Sequence, residues 1–167
     1  MRHILKLYRS LQEPITPIPR NYQFITFNPA IHKWPWLDLN NLIFAEHPDQ
    51  GNWALADLEN RMSEPWFDPE GFFLCVSQEK LLGFCWTKIH HDFVNQDPIG
   101  ELYVIGVDPD ESGKGIGKAI CTEGLIYLKG KGIKQAMLYV DADNEAGKGL
   151  YSTLGLTKAL PAPRTSL

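Results

Sequence analysis

Cysteine is scarce in this chain, with three residues in 167, at Cys75, Cys85 and Cys121. They are widely spaced among apolar neighbours and odd in number, so they read as buried reduced thiols rather than a disulfide framework. Paired C-x-x-C spacing and H-E-x-x-H are both missing, which removes the common zinc and redox sites and leaves no metal to expect. No apolar run is long enough to cross a bilayer. Residues Met1 to Leu11 carry Arg2, Lys6 and Arg9 among short apolar stretches, without the long apolar segment or cleavage site of a signal peptide. A cytoplasmic location is therefore expected. Positive charge does not dominate either: 16 Lys and Arg stand against 20 Asp and Glu, a formal net charge of −4. Neither nucleic acid nor a membrane surface would be drawn by overall attraction, so an anionic ligand must be held locally.

What is present fits one soluble α/β domain, since 44% of residues are hydrophobic and 22% charged. Pro14, Pro17 and Pro19 make residues 1–20 read as an irregular leader or linker. The patterning then predicts a strand over Tyr22–Phe27, helices from Trp36 to about Glu46 and from Ala54 to Met62, and strands Phe72–Val76 and Leu81–Ile89 joined at hairpin length by Ser77-Gln78-Glu79-Lys80. A polar loop, His90 to Gly100, leads to a strand over Glu101–Val107. A helix from about Ile116 to Lys129, a strand from Gln135 to Val140 and a short helix from Glu145 to Leu154 complete the pattern. The order predicts a mixed twisted sheet flanked by helices. The tail Ala159–Arg164, interrupted by two prolines, reads poorly as a strand.

The most informative stretch is Gly113-Lys114-Gly115-Ile116-Gly117-Lys118, which follows the apolar run Leu102–Val107 and Asp108-Pro109. A buried strand feeding a glycine-rich turn and then a helix makes a phosphate site, because the N–H groups at a helix start are unpaired and point outward together. Glycines let the main chain approach an anion closely. Lys114 and Lys118 can add charge.

Val104–Gly117, with the later strand around Val140 and with Asn144 and Tyr151, resembles the GNAT acetyltransferases, whose signature Gln/Arg-x-x-Gly-x-Gly/Ala precedes the long helix. Here it reads Ser112-Gly113-Lys114-Gly115-Ile116-Gly117. More of the chain resembles the mycothiol synthase family: Ala45-Glu46-His47-Pro48-Asp49-Gln50-Gly51, Glu64-Pro65-Trp66-Phe67-Asp68-Pro69, Phe84-Cys85-Trp86-Thr87-Lys88, Gly100–Pro109 and Leu138–Asn144. The resemblance implies a GNAT acyl-CoA N-acyltransferase fold over residues 21–167 and acetyl transfer from acetyl-CoA to the cysteinyl amine of cysteinyl-glucosaminyl-inositol. That family usually carries two such domains. This chain resembles the C-terminal, catalytic one, which makes residues 1–20 look like an interdomain linker, with an N-terminal domain or another partner missing.

The resemblance also assigns roles. Glu101 would be the base, its carboxyl facing an apolar strand in a way that suits a raised pKa, and Tyr151 the acid toward the departing sulfur. The pyrophosphate would fall on Ser112, Gly113, Lys114, Gly115, Ile116, Gly117 and Lys118, and the pantetheine arm on Ile105, Gly106 and Val107. Asn144, Glu145, Ala146, Gly147, Lys148 and Gly149 would complete the cofactor site. Asp49, Lys88, Glu101 and Tyr139 would hold the acceptor. His90-His91-Asp92 is a poor metal motif, because adjacent histidines in a strand point to opposite faces.

Several residues depart from the family pattern. Ser112 replaces a long polar side chain, Gly147 and Gly149 interrupt the last helix, and Leu156 stands where an aromatic is common. After Leu156 the family continues into a further strand, so the sheet edge there requires another segment, a partner, or an impaired domain. An acetyltransferase for another small amine and a degenerate acyl-CoA-binding module are the two rival readings.

Overall fold

Two runs buried on both faces, Lys80–His90 (β4) and Ile99–Val107 (β5), form the middle of a six-stranded sheet. The computed structural model describes residues 3–19, 21–47, 49–91 and 96–158. The other strands are Ile4–Ser10 (β1), Gln23–Thr26 (β2), Phe72–Ser77 (β3) and Gln135–Asp141 (β6). Helices span Lys33–Ile43 (α1), Leu55–Met62 (α2), Ile116–Gly130 (α3) and Glu145–Thr153 (α4). The spatial order is β1-β6-β5-β4-β3-β2, antiparallel except where β5 runs parallel to β6. The expected mixed sheet flanked by helices is what forms.

Helix α1 begins three residues before the expected Trp36. Pro35 falls in its first turn, where the missing N–H has no intrahelical partner to lose, so the proline does not delay the start. Gln78 and Glu79 both adopt positive φ, 49° and 65°, the geometry that turns a two-residue hairpin between β3 and β4.

The main correction concerns the start of the chain. Ile4–Ser10 is not irregular: it pairs antiparallel with β6 along its whole length, from Ile4 opposite Asp141 to Ser10 opposite Gln135. Leu7 and Leu11 are buried in the core beneath. The three prolines act only after the strand, in the connection that follows Leu11. On its other side, Tyr8 exchanges backbone hydrogen bonds with Thr157, of 2.7 and 2.9 Å. The Arg9 guanidinium donates to the Leu154 carbonyl at 2.9 Å, tying β1 to the end of α4. The sheet edge that lacked a partner in the sequence is thus covered by the opposite end of the chain. The tail Ala159–Arg164, Arg20 and Asp92 lie outside the described residues.

Two cores flank the sheet. On one face α3 and α4 bury Ile120, Cys121, Leu125 and Leu128 against Leu102, Leu138 and Val140. On the other, α1 and α2 cover an aromatic cluster of Trp36, Phe72, Phe84 and Trp86. The three cysteines are free and buried, as expected. Burial, with a smaller effect of Glu111, raises the Cys75 thiol to about 11, and a hydrogen bond with Cys121, followed by burial, holds Cys85 well above its usual value. These two thiols stay protonated near neutral pH.

Candidate active site

Strands β5 and β6 pair at two positions only, Gly100 with Ala136 and Glu101 with Met137, and then diverge. The opening is a cleft of about 640 Å3 lined by Tyr103, Val104 and Ile105 of β5, by Tyr139, Val140 and Asp141 of β6, and by Asn144 and Tyr151. Among the described residues, the β5 backbone facing β6 therefore has no strand partner past Glu101. A bulge adds to this freedom: Trp86 pairs with Val104 but Thr87 pairs with Leu102, leaving Tyr103 as the extra residue of β5. His47 and Gln50, from the loop after α1, close one side of the cleft. That loop is held by α1, since Asn40 donates to the Gln50 carbonyl at 2.9 Å and Asn41 exchanges hydrogen bonds with the Trp53 backbone at 2.9 and 3.0 Å.

The glycine-rich turn takes the conformation its composition requires. Gly113 and Gly115 have φ of 80° and 84°, and a Cβ at either would project into open space. Gly115 caps α3 without a side chain, so the N–H groups of Ile116, Gly117 and Lys118 start the helix with no intrahelical carbonyl to meet. This exposed, donor-rich turn at the end of β5 fits a phosphate group. Lys114 is paired with Glu111 at 2.6 Å, which offsets its charge, whereas Lys118 is exposed on the first turn of α3. Gly117 serves packing as well, because a Cβ there would come 3.1 Å from Leu150 of α4.

At α4, Asn144 is the N-cap: its side-chain oxygen accepts from the Gly147 N–H at 2.9 Å. Gly147 has a structural reason, since a Cβ would fall 2.6 Å from that same side chain. Lys148 pairs with Glu145 at 2.9 Å, and Ala146 is exposed between them. Gly149 has no such reason; nothing lies within 4 Å of a Cβ, and its φ is not positive. Gly149→Ala is expected to stabilise the fold by about 0.5–1 kcal/mol, read as a rise in thermal midpoint. An unchanged affinity for acetyl-CoA in that variant would remove Gly149 from the cofactor contacts.

Tyr151, 9% exposed, reaches the cleft from α4. Burial, then the neighbouring Cys121 and Cys85 thiols, push its phenol far above the usual value, so it remains protonated at neutral pH. Ser112 is exposed at the head of the turn, and Ile105, Gly106 and Val107 continue β5 beneath it. A Cβ on Gly106 would strike Ile43 and Phe84 at 2.8 Å, so α1 packs directly on this strand.

Glu101 stands where β5 and β6 part, 6% exposed, and faces Lys88 across the β4–β5 ladder. His90 Nε2 lies 2.8 Å from its Oε1. The Lys88 ammonium sits 4.7 Å from the Trp66 ring centre and 5.3 Å from that of Tyr103, a cation held over two aromatic faces. Lys88, Trp66, Tyr103 and His90 line a second hollow of about 600 Å3 beside the cleft. Tyr139 is half exposed on the cleft wall, whereas Asp49 lies exposed on the loop beside the cleft-lining His47 and Gln50. The structure brings Tyr139 and Tyr151 to one cleft and Lys88 to the neighbouring hollow, with Tyr103 lining both, while Glu101 lines neither and is joined to them through its pairing with Lys88. Sequence reasoning weighed His90 only as a metal ligand. The structure extends β4 through His90, which sets it two residues beyond Lys88 on the face that carries Glu101; the sequence, read as a polar loop from His90, held no signal of this contact. Among the described residues no group of His, Cys, Asp and Glu could hold a metal ion.

Comparison with known proteins bears on the family and the fold. The profile of the acetyltransferase (GNAT) family matches residues 29–156. The mycothiol acetyltransferase of Thermobispora bispora is 46% identical over 160 residues, 94% of this chain and 54% of that protein. The mycothiol acetyltransferase of Streptomyces coelicolor is 43% identical over 155 residues, 93% of this chain and 49% of that protein. The chain spans about half the length of these curated relatives. Among solved structures, a GCN5-related N-acetyltransferase from Sphaerobacter thermophilus superposes with a TM-score of 0.71 at 22% identity, covering 93% of this chain and 48% of that one. An aminoglycoside N-acetyltransferase in complex with CoA gives 0.66 at 22% identity, covering 90% of this chain and 99% of that one. At that identity the likeness is one of fold.

Proposed function

Since the chain belongs to the acetyltransferase (GNAT) family, we propose that it transfers acetyl from acetyl-CoA to the cysteinyl amine of cysteinyl-glucosaminyl-inositol, with both substrates meeting in the cleft between β5 and β6. The observation that carries this reading is the divergence of those strands immediately after Glu101, between the glycine-rich turn and the Lys88 hollow. Relatives named mycothiol acetyltransferase, similar over most of this chain, support the choice of acceptor.

The residues divide the work as follows. The N–H groups of the turn from Gly113 to Lys118 hold the pyrophosphate, aided by the α3 dipole. The β5 backbone groups that face β6 between Tyr103 and Val107 accompany the pantetheine arm as an added strand would, and an N–H in this stretch polarises the thioester carbonyl. An α-amino group has a pKa of roughly 7.7–8.0, so near neutral pH one proton must leave before attack. Glu101 takes it. As the new N–C bond forms and the C–S bond breaks, the Tyr151 phenol donates toward the departing sulfur. Lys88, Tyr139 and Asp49 direct hydrogen bonds to the hydroxyl-rich acceptor.

The test is turnover by the purified protein with acetyl-CoA and either cysteinyl-glucosaminyl-inositol or a panel of other amines, followed by release of free thiol. The expected result is a kcat/KM highest for the cysteinyl sugar–cyclitol. A higher value for another amine would overturn the acceptor. Acetyl-CoA binding without turnover of any amine would reduce the domain to an acyl-CoA-binding module.

A further inference from the structure

Strand β1 brings a cation to the wall of the cleft. Lys6 stands directly opposite Tyr139 in the β1–β6 ladder, and Tyr8 stands opposite Met137. Leu5 and Leu7 turn to the α3–α4 core, as do Leu138 and Val140 of β6. Successive side chains of a strand alternate between its faces. Lys6, Tyr8 and Tyr139 therefore share the other face of the sheet, the one on which α1 and α2 pack.

The Lys6 ammonium lies 5.2 Å from the Tyr8 ring centre and 5.6 Å from that of Tyr139. It is within hydrogen-bonding reach of both phenols, and among the described residues no carboxylate pairs with it. An ammonium carries three donors, so one is left for a ligand. Tyr139 is 53% exposed and lines the cleft, which makes the cation and its two phenols continuous with the proposed reaction site. The ladder also sets the distance. Glu101 pairs with Met137 and Met137 with Tyr8, so one row of residues crosses from β5 through β6 to β1. With neighbouring strands about 4.8 Å apart, β1 lies about 10 Å from β5.

Resting on the function proposed above, we infer that Lys6 and Tyr8 form the subsite for the distal, hydroxyl-bearing ring of the acceptor, with Lys6 as a specificity-determining residue. The amine sits at Glu101, the sugar passes Tyr139, and the cyclitol reaches β1. There Lys6 donates to a ring hydroxyl as a charged donor, while the phenol rings offer apolar faces to the C–H side of the cyclitol. Tyr8 and Tyr139 hold the ammonium beforehand, which reduces the side-chain freedom lost when the ligand binds. An acceptor that ends at the sugar places nothing over β1. The subsite thus distinguishes acceptors by their far end, which the base and the glycine turn do not meet.

The experiment measures kcat/KM at saturating acetyl-CoA for two acceptors, cysteinyl-glucosaminyl-inositol and cysteinyl-glucosamine, which lacks the cyclitol. The proteins are wild type, Lys6→Met and Lys6→Arg. Methionine keeps much of the side chain's length without its charge. Lys6→Met is expected to lower kcat/KM for the full acceptor roughly tenfold, the scale of one hydrogen bond from a charged donor. The loss should fall on KM for that acceptor, with kcat, KM for acetyl-CoA and the rate with cysteinyl-glucosamine unchanged. Lys6→Arg, which retains a charged donor, is expected to keep most of the preference for the full acceptor. An unchanged ratio between the two acceptors in Lys6→Met would overturn the subsite alone, and so would an equal loss for both, the pattern of a purely structural lysine. A wild-type protein that turns over both acceptors equally well would overturn it too. A wild-type protein that turns over neither overturns the proposed function and the subsite with it.

Discussion

Glu101→Gln is expected to lower kcat at pH 7 by about 10²–10³-fold, the usual scale for removing a general base, while KM for acetyl-CoA changes little. The amide keeps the size of the carboxyl and can still hydrogen-bond to His90, which lies 2.8 Å from Glu101 in the parent protein. The fold and the glycine turn should therefore be undisturbed, and the loss falls on the transition state. The pH dependence gives the sharper signature. Near pH 7 most acceptor amine is protonated and needs a base, whereas above roughly 7.7–8.0 it is largely neutral without help. The deficit of the variant should therefore shrink as pH rises. Initial rates of thiol release from pH 6.5 to 9 would show this, and a full rate at pH 7 would remove Glu101 from the base role.

The second large effect concerns stability. Trp86 has no exposed surface; its ring stacks on Phe72 at 4.5 Å and meets Trp36, Phe67 and Tyr103 edge-on at 5.3–6.0 Å. It thus supports the aromatic core and, through Tyr103 and Trp66, the wall beneath Lys88. Trp86→Ala is expected to cost about 3–5 kcal/mol, the range for deleting a large buried aromatic. Its indole N–H has no hydrogen-bond partner among the described residues. Trp86→Phe should therefore cost only about 1–2 kcal/mol, because no buried acceptor is left unsatisfied. Denaturant titration of the three proteins checks both values; equal losses for Phe and Ala would mean that the indole N–H carries an interaction of its own.

Much of the proposed cofactor side was legible because its causes are local. Gly113 and Gly115 are glycines because each takes a left-handed φ, and a buried strand followed by such a turn announces a helix start with unpaired N–H groups. Asn144 could be read as a landmark, although its work as the N-cap of α4, with Gly147 making room for its side chain, needed coordinates. The proposed acceptor side was less legible. Lys88 and Glu101 were singled out from the resemblance, but their facing positions follow from the β4–β5 register. The bulge at Tyr103 and the contact with His90 leave no periodic trace in the sequence.

The sequence by itself determined the glycine turn, the helix it starts, the central strands and the family, because turn conformation, apolar periodicity and motif spacing are written within a few residues of each other. Only the tertiary structure decided that Ile4–Ser10 is a strand, that it closes the sheet edge beside β6, and that β5 and β6 separate after Glu101. Those outcomes depend on backbone groups from opposite ends of the chain finding one another. Strand pairing is a property of both partners, and no local pattern in Ile4–Ser10 names the strand it will meet.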